Sequence, residues 1–197
     1  ELDHAIAAYW REKGLSVLEE DALRLDWKQF YTGKRLVFVS NLPYQISSSI
    51  VVERSLENEG VAAMVLMFQK EVAQKIRGTV GAELYGLLSV FAQTFWKIET
   101  VTDAGPRDFQ PPPRVVSRVL SFQRIESEVK NRKAFLGFVK SAFAQRRKLL
   151  KKNLSGILSQ KKLTEEQLIG WLADMGFKET ARAEELSPVQ FVKLYKH

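Results

Sequence analysis

The chain has 197 residues, 45% of them hydrophobic, which suits one large globular domain or a domain with a small appendage. Its 30 Lys and Arg outnumber 23 Asp and Glu, and the net charge of +7 points to a polyanionic partner. There is no cysteine, so disulfides and thiolate zinc sites are excluded; no apolar run approaches the roughly 18–20 residues of a membrane span and no signal peptide opens the chain, so a soluble, cytoplasmic protein is expected.

In chain order, residues 5–13 read as a helix and 15–18 as a short strand closed by Glu20, Asp21 and Ala22. A carboxylate at a strand end can accept a ligand's hydrogen bonds, but a solvated acidic turn carries the same residues. Trp27, Phe30 and Tyr31 are expected to pack beside a sheet. The run Leu36-Val37-Phe38-Val39-Ser40 reads as a buried strand, and Pro43 ends it abruptly, so that Asn41-Leu42-Pro43-Tyr44 is presented at a strand's C-terminal edge. In open α/β sheets, ligands bind in the crevice outside those edges.

Ser47, Ser48 and Ser49 can cap a helix over 50–56, and the apolar run 61–68 reads as a second buried strand, completing a parallel βαβ unit. Residues 70–77 look helical, and 78–81 form a connector with too few glycines for a phosphate cradle. A helix over 84–95 then leads into a strand over 97–101. Pro111, Pro112 and Pro113 impose a stiff path before a strand over 115–122. That stiffness either serves a structural crossover or aims Phe109 at a pocket opposite Tyr44. Arg114, just beyond, contacts a phosphate or is simply solvated.

Residues 125–132 are charged and weakly patterned, which places a boundary between a domain over 1–128 and another over 129–197. The charge divides there as well: residues 1–129 carry 15 Lys and Arg against 17 Asp and Glu, and residues 130–197 carry 15 against 6. From Ala134, the apolar residues Phe135, Phe138, Val139, Ala142, Phe143, Leu149, Leu150 and Leu154 follow helical spacing. Arg146, Arg147, Lys148, Lys151 and Lys152 lie within that helix, with like charges four residues apart in Arg147/Lys151 and Lys148/Lys152. Such pairs oppose an isolated helix, so phosphate binding accounts for them better than an ordinary solvated face does. Arg146 falls on the apolar stripe, where packing or ion pairing is the alternative. Thr164 with Gln167 and Ser187 with Gln190 fit capping boxes of two further short helices, Pro188 suits a first helical position, and Gly176 suits a helix end.

The tetrapeptide suits methylation of an exocyclic amine on a flat base. The N6 lone pair of adenine is delocalised into its ring, so the amine is a poor nucleophile until its two hydrogens are held and the nitrogen pyramidalises. The Asn41 side-chain oxygen and the Leu42 carbonyl can accept those hydrogens, Pro43 restrains the turn, and Tyr44 can stack on the ring face. The plainer reading is a strand-turn in which Asn41 satisfies local backbone groups.

This tetrapeptide, with Gln45-Ile46-Ser47-Ser48, resembles the motif of the ribosomal RNA adenine dimethyltransferases. Further matches in family order are Gln69-Lys70-Glu71-Val72, Tyr85-Gly86-Leu87-Leu88-Ser89-Val90, Phe109-Gln110-Pro111-Pro112-Pro113-Arg114-Val115, Gln145-Arg146-Arg147-Lys148 and Arg182-Ala183-Glu184-Glu185-Leu186-Ser187. The last two resemble the branch acting on small-subunit ribosomal RNA during ribosome assembly. The resemblance implies an α/β, Rossmann-like methyltransferase sheet followed by a small all-helical domain that docks RNA. It implies S-adenosylmethionine as methyl donor, no metal, and a monomer working on the pre-ribosomal small subunit.

By the same resemblance, Glu1 with Leu2 holds the cofactor's ribose, Asp21 with Ala22 takes its adenine, and Asn41 touches both cofactor and base. Tyr44 and Phe109 sandwich the flipped base. The family's glycine-rich loop and first strand precede the position of Glu1, so the chain is expected to be a fragment, inactive by itself. Two other readings compete: a non-catalytic RNA-binding assembly or transcription factor using chiefly the basic helices, and a DNA adenine methyltransferase, which also uses such a tetrapeptide.

Overall fold

A computed structural model describes residues 1–31, 33, 35–57 and 60–197. Helix α1 (His4–Glu12) is capped by Asp3, whose carboxylate accepts from the Ala5 and Ile6 amides at 2.9 and 3.1 Å. Strand β1 (Leu36–Asn41), helix α2 (Tyr44–Leu56) and strand β2 (Val61–Gln69) form the expected right-sized βαβ unit, with β1 and β2 parallel and Asn41 opposite Met67. Helices α3 (Lys70–Ile76) and α4 (Leu87–Phe95) follow. Strands β3 (Trp96–Ala104) and β4 (Ser117–Arg124) then complete a four-stranded mixed sheet in the order β1-β2-β4-β3. Helices α5 (Arg132–Ala142), α6 (Leu150–Lys161), α7 (Glu165–Asp174) and α8 (Pro188–Tyr195) make up the C-terminal part.

Several boundaries differ from the sequence expectations, each for a local reason. Residues 15–18 form no strand, because no neighbouring strand among the described residues takes their backbone groups. The Val17 carbonyl instead accepts from the Arg11 guanidinium at 3.0 Å, and the Glu20 amide donates to the Glu1 carbonyl at 3.1 Å. Helix α2 starts at Tyr44 rather than at residue 50. Its N-cap is Pro43, with no side-chain cap bond, and the first serine lies inside the helix, donating from Ser47 Oγ to the Tyr44 carbonyl at 2.9 Å. Helix α4 begins at Leu87, later than expected, because Gly86 is extended and serves as its N-cap. Strand β3 runs on to Ala104, and β4 starts two residues late, at Ser117, once the proline segment is past.

The largest correction concerns the single helix expected from Ala134 through Leu154. It is two helices. After Phe143 the chain turns, and the Asn153 side-chain amide donates to the Ala142 and Gln145 carbonyls at 2.7 and 3.0 Å, satisfying groups that a continuing helix would use. The Leu150 amide donates to the Ala181 carbonyl at 2.8 Å and so fixes where α6 begins. The two like-charge pairs are therefore not on one helix.

Strand β1 was expected to be buried, yet its residues alternate: Leu36 and Phe38 face the packed side, while Val37 and Val39 are 56% and 68% exposed. Trp27 lies edge-on to Phe38 at 4.9 Å and packs beside the sheet as expected. One continuous cluster of buried residues runs from Leu42 to Leu194, across residues 128 and 129. Phe91 and Phe135 stack at 6.2 Å within it, and Arg132 donates to the Ser55 carbonyl at 2.9 Å. Both predicted capping boxes form, at Thr164 with Gln167 and at Ser187 with Gln190, with Pro188 in the first turn of α8. Gly176, at φ +84°, follows the end of α7 in the left-handed region that glycine favours.

Candidate active site

The strand register brings the expected chemistry to one edge of the sheet. Asn41 is opposite Met67 at the C-terminal ends of the parallel pair, while Ser117 at the start of β4 is opposite both Gln69 and Ala104. The segment 105–116 that joins β3 to β4 therefore leaves and re-enters the sheet at the edge where Asn41 sits. Phe109 and Arg114 lie on it, Phe109 half-buried and Arg114 exposed. The Lys70 amide donates to the Val116 carbonyl at 2.9 Å, tying the end of this segment to the start of α3.

Within the tetrapeptide, Leu42 is buried, anchoring the turn in the core, while Asn41 and Pro43 are exposed and Tyr44 is half-buried. Neither the Asn41 side-chain amide nor the Leu42 carbonyl takes part in the hydrogen bonds found outside the regular helices and strands of the described residues, so both acceptors are unclaimed at this end of β1. Tyr44 is held at both ends: Ser47 bonds its carbonyl, and its phenol oxygen lies 2.9 Å from the fully buried Ser117 Oγ. The sequence reading missed Ser117; its signal is a hydroxyl at the entry of a strand, shortly after a rigid segment.

Beside this edge, Asp103 receives Arg118 Nη2 at 2.8 Å and Lys70 Nζ at 3.2 Å. These hydrogen bonds hold its carboxyl well below the usual carboxylate range. The cluster fixes β3, β4 and the start of α3 relative to one another and leaves two cations at the rim. It too went unread in the sequence, because nothing local to Asp103 announces Lys70, 33 positions before it.

The residues expected at the cofactor fall into two neighbouring turns. Glu1 Oε1 accepts from the Leu2 and Asp3 amides at 2.8 and 3.0 Å. Asp21 Oδ1 accepts from the Leu23 amide at 2.9 Å. The bond from Glu20 to Glu1 places the two carboxylates' turns together. The Ala22 carbonyl accepts from Trp27 Nε1 at 2.9 Å, and Trp27 rests on Phe38, so the Asp21 turn is moored to β1. Each carboxylate keeps one oxygen outside those backbone bonds, Asp21 Oδ2 lying 3.8 Å from Arg24 Nε, and these are acceptors of the kind that a ribose diol and an amino group, both donors, require. The residues fit the cofactor in their chemistry.

The five basic residues separate. Arg146 donates to the Tyr85 and Ala82 carbonyls at 2.8 and 3.0 Å and pairs with Glu184 at 2.7 Å. Lys151 pairs with Glu179 at 3.1 Å and Lys152 with Glu165 at 2.8 Å. Arg147 and Lys148 stand exposed on the turn between α5 and α6.

The family model described as ribosomal RNA adenine dimethylase matches residues 1–196. The chain is 88% identical, over all of its 197 residues and 72% of the relative's length, to ribosomal RNA small subunit methyltransferase A of Bdellovibrio bacteriovorus. It is 36% identical, over 98% of the chain and 72% of the relative, to the protein of the same name from Bordetella avium. Among solved structures, a dimethyladenosine transferase from Plasmodium falciparum superposes with a TM-score of 0.79 at 23% identity, covering 98% of this chain and 78% of that one. The 23S rRNA methyltransferase ErmE superposes at 0.71, also at 23% identity, covering 100% and 79%. Those two structures share the Rossmann-like fold with this one. By its match along 196 residues and its 88% identical relative, the chain belongs to the ribosomal RNA adenine dimethylase family.

Proposed function

We propose that this protein dimethylates N6 of adenosines in a hairpin loop near the 3′ end of small-subunit ribosomal RNA, acting as a cytoplasmic monomer on the assembling small subunit. The observation that carries the reading is the unclaimed pair of acceptors at Asn41 and Leu42 next in the chain to Tyr44, whose backbone is held by Ser47 and whose phenol is held by Ser117. Loop bases are already partly unstacked, so splaying one into a slot lined by Tyr44 and Phe109 costs less than extracting it from a duplex.

S-adenosylmethionine, when bound, supplies an electrophilic methyl group. Glu1 and Asp21 would hold its ribose and adenine, with Leu2 and Ala22 lining the same turns and Asn41 reaching both cofactor and base. The Asn41 side-chain oxygen and the Leu42 carbonyl accept the two hydrogens of the target amine and draw its lone pair out of the ring plane. Tyr44 stacks on the base and favours the positive charge that develops on the nitrogen. No strong base is needed, since the proton leaves after transfer, and positioning supplies much of the acceleration. Arg114, Arg147 and Lys148 hold the RNA backbone, with Arg146, Lys151 and Lys152 setting the turn that carries them.

The test is methyl transfer from S-adenosylmethionine to a hairpin RNA, beside RNA affinity measured by anisotropy. Asn41→Ala should abolish transfer and leave affinity nearly intact. Equal loss of both would overturn the role given to Asn41.

A further inference from the structure

Tyr44 is the first residue of α2, and Pro43 at φ −53° and ψ 132° sets the direction in which that helix begins. The Ser47 hydroxyl holds its carbonyl. These two restraints fix the Tyr44 backbone and leave its ring free to turn about χ1 and χ2. The third restraint is remote: the phenol oxygen meets Ser117 Oγ at 2.9 Å, across 73 residues of chain.

Ser117 is suited to hold a ring still. It is fully buried, it sits in register between Gln69 and Ala104, and the residue before it accepts the Lys70 amide. Three elements therefore fix the backbone that carries the hydroxyl. Among the described residues, Tyr44 is the hydrogen-bond partner of that side chain, and a fully buried hydroxyl without a partner is costly. Ser117 thus both ends the segment that carries Phe109 and bonds the phenol of Tyr44.

We infer that Ser117 is a positioning residue that sets the Tyr44 ring for stacking on the target adenine and fixes its spacing from the Phe109 segment. The inference rests on the base-binding reading above. A half-buried tyrosine without this bond loses ring orientation while the fold keeps its core, so the loss falls on recognition of the base and spares docking of the RNA backbone.

The experiment compares two probes: a hairpin RNA with adenosines in its loop, and the same hairpin with those positions abasic. The ratio of the two affinities reports recognition of the base, stacking and amine bonds together, because backbone contacts cancel. Ser117→Ala should lower that ratio by about fivefold, the worth of one hydrogen bond, and leave affinity for the abasic hairpin unchanged. Tyr44→Phe removes the same bond from the other side and should lower the ratio equally, and the double variant should lower it no further. A ratio kept in Ser117→Ala, or losses that add in the double variant, would overturn the positioning role while leaving the base-binding reading intact. No preference for the adenosine hairpin in the unsubstituted protein would overturn both.

Discussion

Arg146 shows how a residue's role depends on what its side chain already holds. Its guanidinium spans the Tyr85 and Ala82 carbonyls and the Glu184 carboxylate, an arrangement that suits the planar fork of arginine and that lysine cannot reproduce. Arg147 and Lys148 have no such ties among the described residues and stand exposed on the same turn. Arg146→Ala should therefore lower the midpoint of urea unfolding, through a loss of about 1–3 kcal/mol of unfolding free energy for the charged hydrogen bonds removed. Arg147→Ala and Lys148→Ala should leave that midpoint unchanged, weaken hairpin RNA binding, and each flatten the slope of log affinity against log salt by about 1. A salt slope that changes only in Arg146→Ala would reverse the assignment.

Among the elements, those announced by chemistry local in sequence were the legible ones. The capping boxes at Thr164 and Ser187 join residues three apart, so their sequence pattern and their geometry are the same fact. The tetrapeptide at 41–44 was legible for a similar reason: an apolar run broken by Pro43 fixes both the strand end and what is displayed there. The break between α5 and α6 was not legible. It depends on Asn153 reaching back to Ala142 and Gln145, while the apolar spacing continues through the turn as though the helix did. Ser117 was hidden by distance, since nothing near it in sequence shows that Tyr44 will arrive beside it. The exposed faces of Val37 and Val39 were hidden by composition, because a run of apolar residues does not say which side is covered. Asn153→Ala should make the break visible in solution by costing about 1–2 kcal/mol in urea unfolding, the usual worth of a lost cap, whereas substitution of Ser155, exposed inside α6, by alanine should change stability by no more than a few tenths of a kcal/mol. Equal effects would mean that α5 and α6 are separated by something other than this side chain.

At the scale of the molecule, the sheet and the C-terminal helices are held together by long-range polar bonds laid over a continuous apolar core. Arg132 crosses from α5 to the Ser55 carbonyl with its guanidinium 4.3 Å from the Phe95 ring, the Gly81 amide donates to the Glu184 carbonyl at 2.9 Å, and the buried Tyr85 hydroxyl donates to the Leu186 carbonyl at 2.7 Å. Tyr85 makes this seam sensitive to alkali. Burial pushes its phenol well above the ordinary value of about 10, and Tyr31, desolvated and bonded to the Glu57 carboxylate, is pushed up to about 12. Below pH ~10 both groups are protonated in the folded and unfolded chains alike, so their contribution to stability is fully present. As pH rises past ~10 the unfolded chain releases these protons while the folded chain keeps them, and stability falls until the folded phenols ionise as well. Urea unfolding should therefore keep a constant midpoint from pH 7 to 9.5 and then weaken. Tyr85 alone contributes a slope of about 1.4 kcal/mol per pH unit between the two pKa values. Tyr85→Phe should be less stable at pH 8, where it loses the bond to Leu186, yet show a shallower decline above pH 10. Because the seam crosses the boundary expected from the sequence at residues 128–129, probes of the sheet and of the C-terminal helices should report the same alkaline transition; separate transitions would show that the two parts unfold independently and that Tyr85 does not couple them.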